Sequence, residues 1–173
     1  IGTLSTGLPV YKGTTATDIA FVLSKKISAP VNSANLFFNL KEITSFDFSN
    51  FDTSVVNDMN DMFRLCNKLT SLDVSTFNTA KVTNMSYMFC SLLSSITFGN
   101  GFSFNEVTDL SYMFEGCSLT SINLSPYLNS STNYKFFTME SMFGSCNLLE
   151  TINLGTLPVL KWEKSTAFKF DIP

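Results

Sequence analysis

The sequence predicts an α/β repeat fold, with short parallel strands on one face and short helical turns on the other. Three observations predict it. First, Met-Phe is written four times, at Met62-Phe63, Met88-Phe89, Met113-Phe114 and Met142-Phe143, with successive phenylalanines 26, 25 and 29 residues apart. A period in this range marks one supersecondary unit stacked on itself. Second, apolar residues follow each phenylalanine in a fixed order. Phe37 precedes Leu40, Ile43, Phe46 and Phe48; Phe63 precedes Cys66, Leu69, Leu72 and Val74; Phe143 precedes Cys146, Leu149, Ile152 and Leu154. The units at Phe114 and Phe89 keep that order after losing one and two residues. Third, the apolar period inside each unit switches from two to a helical spacing.

In chain order, residues 1–33 fall outside the period and read as an N-terminal cap, as a terminal repeat needs. Gly2, Gly7, Pro9 and Gly13 punctuate a turn-rich start. Thr17-Asp18 then offers an N-cap to a short amphipathic helix carrying Ile19, Val22, Leu23 and Lys26, and Pro30 ends it. Residues 34–157 hold about four and a half repeats of about 26 residues. In each, an alternating strand points two residues inward: Phe46/Phe48, Leu72/Val74, Ile96/Phe98, Ile122/Leu124 and Ile152/Leu154. A turn at Ser49, Ser75, Gly99, Ser125 or Gly155 leads to Phe51, Phe77, Phe102, Tyr127 or Leu157. Val82, Met85, Met88 and Phe89 then sit at i, i+3, i+6 and i+7, with Asn57, Thr83 and Thr108 as caps of the helical turn. A strand, a corner and a helical turn in ~25 residues is the leucine-rich-repeat plan. Residues 128–135 read as a polar loop leaving the stack. Residues 158–173 read as a C-terminal cap or the start of a next region, with Phe168 to Ile172 alternating strictly.

Hydrophobic residues at 45% against 14% charged describe an ordered, core-rich chain. A net charge of −3 without a basic patch argues against nucleic acid and anionic membrane as partners. The longest apolar run, Ile19 to Leu23, is far short of a membrane span. With no initiator Met and no recognisable leader, the chain reads as a mature or excised piece. Histidine is absent, which removes His-based triads, Cys-His pairs and His metal ligands. No Gly-rich phosphate loop is present, and the carboxylates follow the repeat. The expectation is therefore a non-enzyme with no catalytic residues, no metal and no cofactor. Cys66, Cys117 and Cys146 share a column with Leu40 and Leu92, which makes them small core residues. Cys90 lies off that column and is expected to be the most reactive of four free thiols.

Two constellations remain for binding. The outward strand positions form a polar ladder: Ser45/Asp47, Ser71/Asp73, Ser95/Thr97, Ser121/Asn123 and Thr151/Asn153. It serves either as a binding face or simply as a solvated sheet. Asp47 and Asp73 would be direct, mutually repelling neighbours in it. Tyr87 and Tyr112 occupy matching slots and should stack near the surface of the helical face, as interface anchors or half-buried packing.

The segments Val56 to Phe63, Val82 to Phe89 and Val107 to Phe114, followed by Cys and by the Leu-Thr-Ser-Leu-Asp-Val-Ser of Leu69 to Ser75, resemble the BspA-like leucine-rich repeat. More narrowly they are similar to its Met-Phe variant in surface proteins of mycoplasmas and other low-GC bacteria. The resemblance covers about 34–157 and implies a right-handed solenoid in a cell-surface or secreted protein, some of whose relatives are adhesins. It therefore implies an extracellular or cell-surface location and a protein ligand on a host or neighbouring cell. A structural spacer or fibre segment without its own ligand is the alternative.

Overall fold

A computed structural model describes residues 2–3, 9–12, 19–23, 25–128 and 138–155 of the chain. Ten short strands are present: β1 (Gly2–Thr3), β2 (Pro9–Lys12), β3 (Ile19–Val22), β4 (Ile27–Ser28), β5 (Ile43–Asp47), β6 (Phe51–Asp52), β7 (Ser71–Val74), β8 (Ser95–Phe98), β9 (Ser121–Asn123) and β10 (Thr151–Asn153). Among the described residues there is no helix. The expected right-handed α/β solenoid with helical turns is thereby overturned. The strands gather into four small sheets, β1-β2-β3-β5, β4-β6, β7-β8 and β9-β10, and do not run on as one face.

The segments expected to be helical are chains of tight turns, and the reason lies in where their amides go. Alternate N–H groups leave the repeat: those of Met59, Asp61, Phe63 and Leu65 donate to the carbonyls of Asn84, Ser86, Met88 and Cys90. The amides between them close i→i+3 turns, Met62 to Met59 and Arg64 to Asp61. The next repeat does the same, with Met85, Tyr87 and Phe89 donating to Asp109, Ser111 and Met113. A helix would need those amides for its own i→i+4 bonds. Two overlapping four-residue turns, 59–62 and 61–64, place Met59, Met62 and Phe63 inward as well as a helix does, so the apolar spacing cannot separate the two.

Each first turn has a left-handed third residue, as a type II turn requires. The φ values are 60° at Asn35, 56° at Asp61, 56° at Tyr87, 59° at Tyr112 and 46° at Ser141. A second left-handed residue follows four positions on at Asn39, Leu65, Gly116 and Ser145. For side chains other than glycine this costs about 1–2 kcal/mol each, offset by the bonds to the adjacent repeat.

The caps expected at Asn57, Thr83 and Thr108 are displaced by one residue. Asp58, Asn84 and Asp109 accept from the amides of Asn60, Ser86 and Ser111 at 3.0, 2.9 and 2.8 Å. Those acceptors also lie on a column of parallel bridges, Asn32–Asp58–Asn84–Asp109–Thr138. The Thr83 and Thr108 hydroxyls instead donate to the carbonyls of Asn57 and Thr83 in the preceding repeat.

The predicted inward columns form the core, with one correction: Leu92, expected to share the column of Cys66, Cys117 and Cys146, is 50% exposed, and buried Ser91 beside it donates to the Cys66 carbonyl. Phe37, Phe63, Phe89, Phe114 and Phe143 stack ring on ring with centroids 5.5, 6.0, 5.6 and 5.3 Å apart. Met59, Met62, Met85, Met88, Met113, Met139 and Met142 are buried beside them, as are Leu36 and Leu110 in the same columns. Buried Thr53 and Thr79 donate to the carbonyls of Asn78 and Ser103 and accept the amides of the same residues, so no buried hydroxyl there is left unbonded.

At the N-terminal end the expected helix from Ile19 is strand β3. It pairs parallel with β5 and antiparallel with β2, which pairs with β1. The exposed edge of β5 has amides to satisfy, and a four-residue Ile-Ala-Phe-Val segment suits a strand better than a one-turn helix. The loop expected at 128–135, beyond Leu128, and the C-terminal segment 158–173 lie outside the described residues.

Candidate functional site

All ten predicted ladder residues are exposed, but the strands do not bring them into one ladder. β7 pairs with β8, setting Ser71 beside Ser95 and Asp73 beside Thr97. β9 pairs with β10, setting Ser121 beside Thr151 and Asn123 beside Asn153. Ser45 and Asp47 pair with Ala20 and Val22 of the N-terminal cap instead. Asp47 and Asp73 are therefore not ladder neighbours. They line opposite sides of a hollow of ≈ 150 Å3 between β5 and β7, together with Phe46, Phe48, Ser49, Ser75 and Thr76.

Four of the ten ladder residues have a structural task. Asp47, Asp73, Asn123 and Asn153 accept the amides two residues on, from Ser49, Ser75, Ser125 and Gly155, at 2.9, 2.8, 3.1 and 3.0 Å. These are Asx turns that end each strand. The Ser49 amide also holds the Asp47 carboxyl below its usual range. Ser45, Ser71, Ser95, Thr97, Ser121 and Thr151 are different: their hydroxyls are exposed and engage no other group among the described residues.

A second, larger opening on this face lies between the two strand pairs. No Cα of β8 comes within 8 Å of a Cα of β9, whereas paired strands sit ~4.8 Å apart. The resulting groove of ≈ 490 Å3 runs between Ser94–Phe98 and Leu119–Asn123, over Pro126 and Tyr127. A phase slip accounts for it. Phe89 and Phe114 are 25 residues apart, and Ser118 still donates to Leu93 at that offset, but the inward Ile96 and Ile122 are 26 apart. The extra residue is taken up at the entry to β9, so β8 and β9 form no ladder. Between β7 and β8 the offset is already 24 where Ser94 donates to Thr70, and the ladder that follows is regular.

Tyr87 and Tyr112 stack with centroids 4.6 Å apart and planes 5° from parallel. The Arg64 guanidinium lies 4.4 Å from the Tyr87 centroid and pairs with Asp61 at 3.0 Å, and the Tyr112 hydroxyl donates to Glu140 at 3.1 Å. The pair sits on a turn, not on a helix, because both residues fill the left-handed slot. Sequence reasoning missed Arg64 and Glu140. The signal was there: Arg64 is the single arginine, and it follows its column phenylalanine as Cys90 and Glu115 follow theirs. Arg64 stacks on Tyr87 and pairs with Asp61, although its buried Nε has no hydrogen-bond partner, and this corner links residues of four successive units.

All four cysteines are free. Cys66, Cys117 and Cys146 donate to the carbonyls of Phe37, Phe89 and Phe114 in preceding repeats. Burial pushes Cys66 and Cys146 up to about 11 and raises Cys117 further. Cys90, expected to be the most reactive, is pushed up to about 12 by burial and by Glu115, 3.5 Å from its sulfur. Alkylation proceeds through the thiolate, so half-buried Cys146 should react before Cys90. Glu115→Gln should speed Cys90 at pH 8; peptide mapping that finds Cys90 modified first in the unaltered protein would contradict this. Among the described residues no three His, Cys, Asp or Glu side chains converge as a metal site, and no helix is long and apolar enough to cross a membrane.

Short parallel strand pairs in small sheets, parallel bridges between successive sequence units and an open groove characterise the described residues. The chain belongs to the family described as Mycoplasma protein of unknown function, DUF285, which matches residues 31–157. No curated protein and no solved structure matches it.

Proposed function

We propose that this chain is a non-catalytic binding module of a cell-surface or secreted protein, engaging a protein on a host or neighbouring cell. The observation that carries this reading is the set of exposed hydroxyls, Ser45, Ser71, Ser95, Thr97, Ser121 and Thr151, that the fold itself does not use. Side chains already engaged in Asx turns contribute shape but are committed elsewhere. Surface placement is supported by the likeness of the Met-Phe segments to those of BspA-like surface proteins, and by membership of a mycoplasma family.

The test is binding of the fluorescently labelled protein to cultured animal cells, with and without trypsin treatment of the cells. Ser71→Arg with Ser95→Arg alters only exposed side chains on paired strands. It should lower binding about tenfold, a loss of roughly 1.4 kcal/mol, while circular dichroism is unchanged. Equal binding by the double variant would remove the strand face from consideration. A wild-type protein that binds no cell would leave the spacer reading.

A further inference from the structure

We infer that the groove between β8 and β9 receives an extended, uncharged segment of the partner protein as an added parallel or antiparallel strand. This deepens the binding-module reading, because it names the partner's chemistry at the same face. Adjacent strands lie ~4.8 Å apart, so a sheet lacking one strand leaves a gap of about 9.6 Å. The separation here exceeds 8 Å along the full length of both strands. Among the described residues each strand is paired on one side only, β8 with β7 and β9 with β10. Both therefore present an unladdered edge of amides and carbonyls to the same groove. Unpaired edges of this kind are templates for a further strand.

The lining specifies the segment. Ser94, Ser95, Thr97, Thr120, Ser121 and Asn123 carry no charge, so the groove has nothing to hold an ionic ligand. The floor is apolar: Ile96 and Phe98 remain half-buried, whereas their neighbours Leu72 and Val74 in β7 are buried. Phe98 and Tyr127 meet there at 5.5 Å. A strand in the gap would set alternate residues against this floor and the others between the serines and threonines. The chemistry selected is apolar and small polar residues in alternation, held mainly by its backbone.

The test uses the whole chain and a synthetic peptide of alternating Val and Thr with Lys at each end. Its control is the same peptide N-methylated at every second residue, which cannot donate along one edge. Amide hydrogen exchange is followed by mass spectrometry. With the peptide at ten times its Kd, exchange should slow about tenfold within 95–98 and 121–123, and the N-methylated peptide should have no effect. No protection, protection elsewhere, or equal protection by the N-methylated peptide would overturn the inference. So would protection by a neutral oligosaccharide, or protection that rises with protein concentration alone, which would mean a second copy fills the groove. If the peptide fails while cell binding still depends on Ser71 and Ser95, the groove inference falls and the binding face stands. If the peptide succeeds while no cell is bound, the reverse holds.

Discussion

Phe89→Ala is expected to lower the stability of the stack by about 3–5 kcal/mol, the range for a buried aromatic reduced to alanine. Phe89 is fully buried in the middle of the phenylalanine column. Its ring lies 6.0 Å from Phe63 and 5.6 Å from Phe114, both stacked, and meets Phe98 edge-on at 6.0 Å. The cavity left cannot close easily, because the amide and carbonyl positions around it are fixed by bonds to both adjacent repeats, Phe89 to Met113 and Phe63 to Met88. In a stacked array each repeat touches only its neighbours, so a break at the centre uncouples the two halves. Urea unfolding followed by circular dichroism measures the change. A loss below about 1 kcal/mol, the size seen at exposed sites, would mean that the column is not a core.

Gly99→Ala is expected to have the second-largest effect. A Cβ at this position would lie 1.9 Å from the carbonyl oxygen of Ser75, which is backbone and cannot swing aside. Either β8 or the turn after β7 must move, and the register Val74↔Phe98 lies one residue away. Overpacking of this kind costs about 1–3 kcal/mol, and a backbone obstacle puts it at the upper end. Gly116→Ala is the control. Gly116 has φ +72° with nothing within 4 Å of an added Cβ, and Leu65 and Ser145 occupy the matching slot. Its substitution should cost about 1 kcal/mol. Urea midpoints in which Gly116→Ala is the more damaging change would show that the close approach at Gly99 is not real.

The readable part of the fold was its columns. Phenylalanine, methionine, valine and the inward strand residues recur because each must fill the same place against the same neighbour, and most of them are buried. Tyr87 and Tyr112 were placed together for the same reason, since matching slots in adjacent repeats must be adjacent in space. The Asp and Asn of the strand ladder were legible as exposed but not as turn-makers. An Asx acceptor and a solvated side chain look alike until the amide two residues on is seen to point at it.

The sequence by itself therefore determined the period, the inward columns and the stacking order, because side-chain identity repeats wherever burial repeats. Tertiary structure alone decided the rest. It made the second half of each unit a run of turns, because alternate amides serve the next repeat and leave none for a helix. It turned the N-terminal segment from Ile19 into a strand, because the edge of β5 needed a partner. It also opened the groove between β8 and β9, because a one-residue phase slip was absorbed at the entry to β9, where the ladder should have formed.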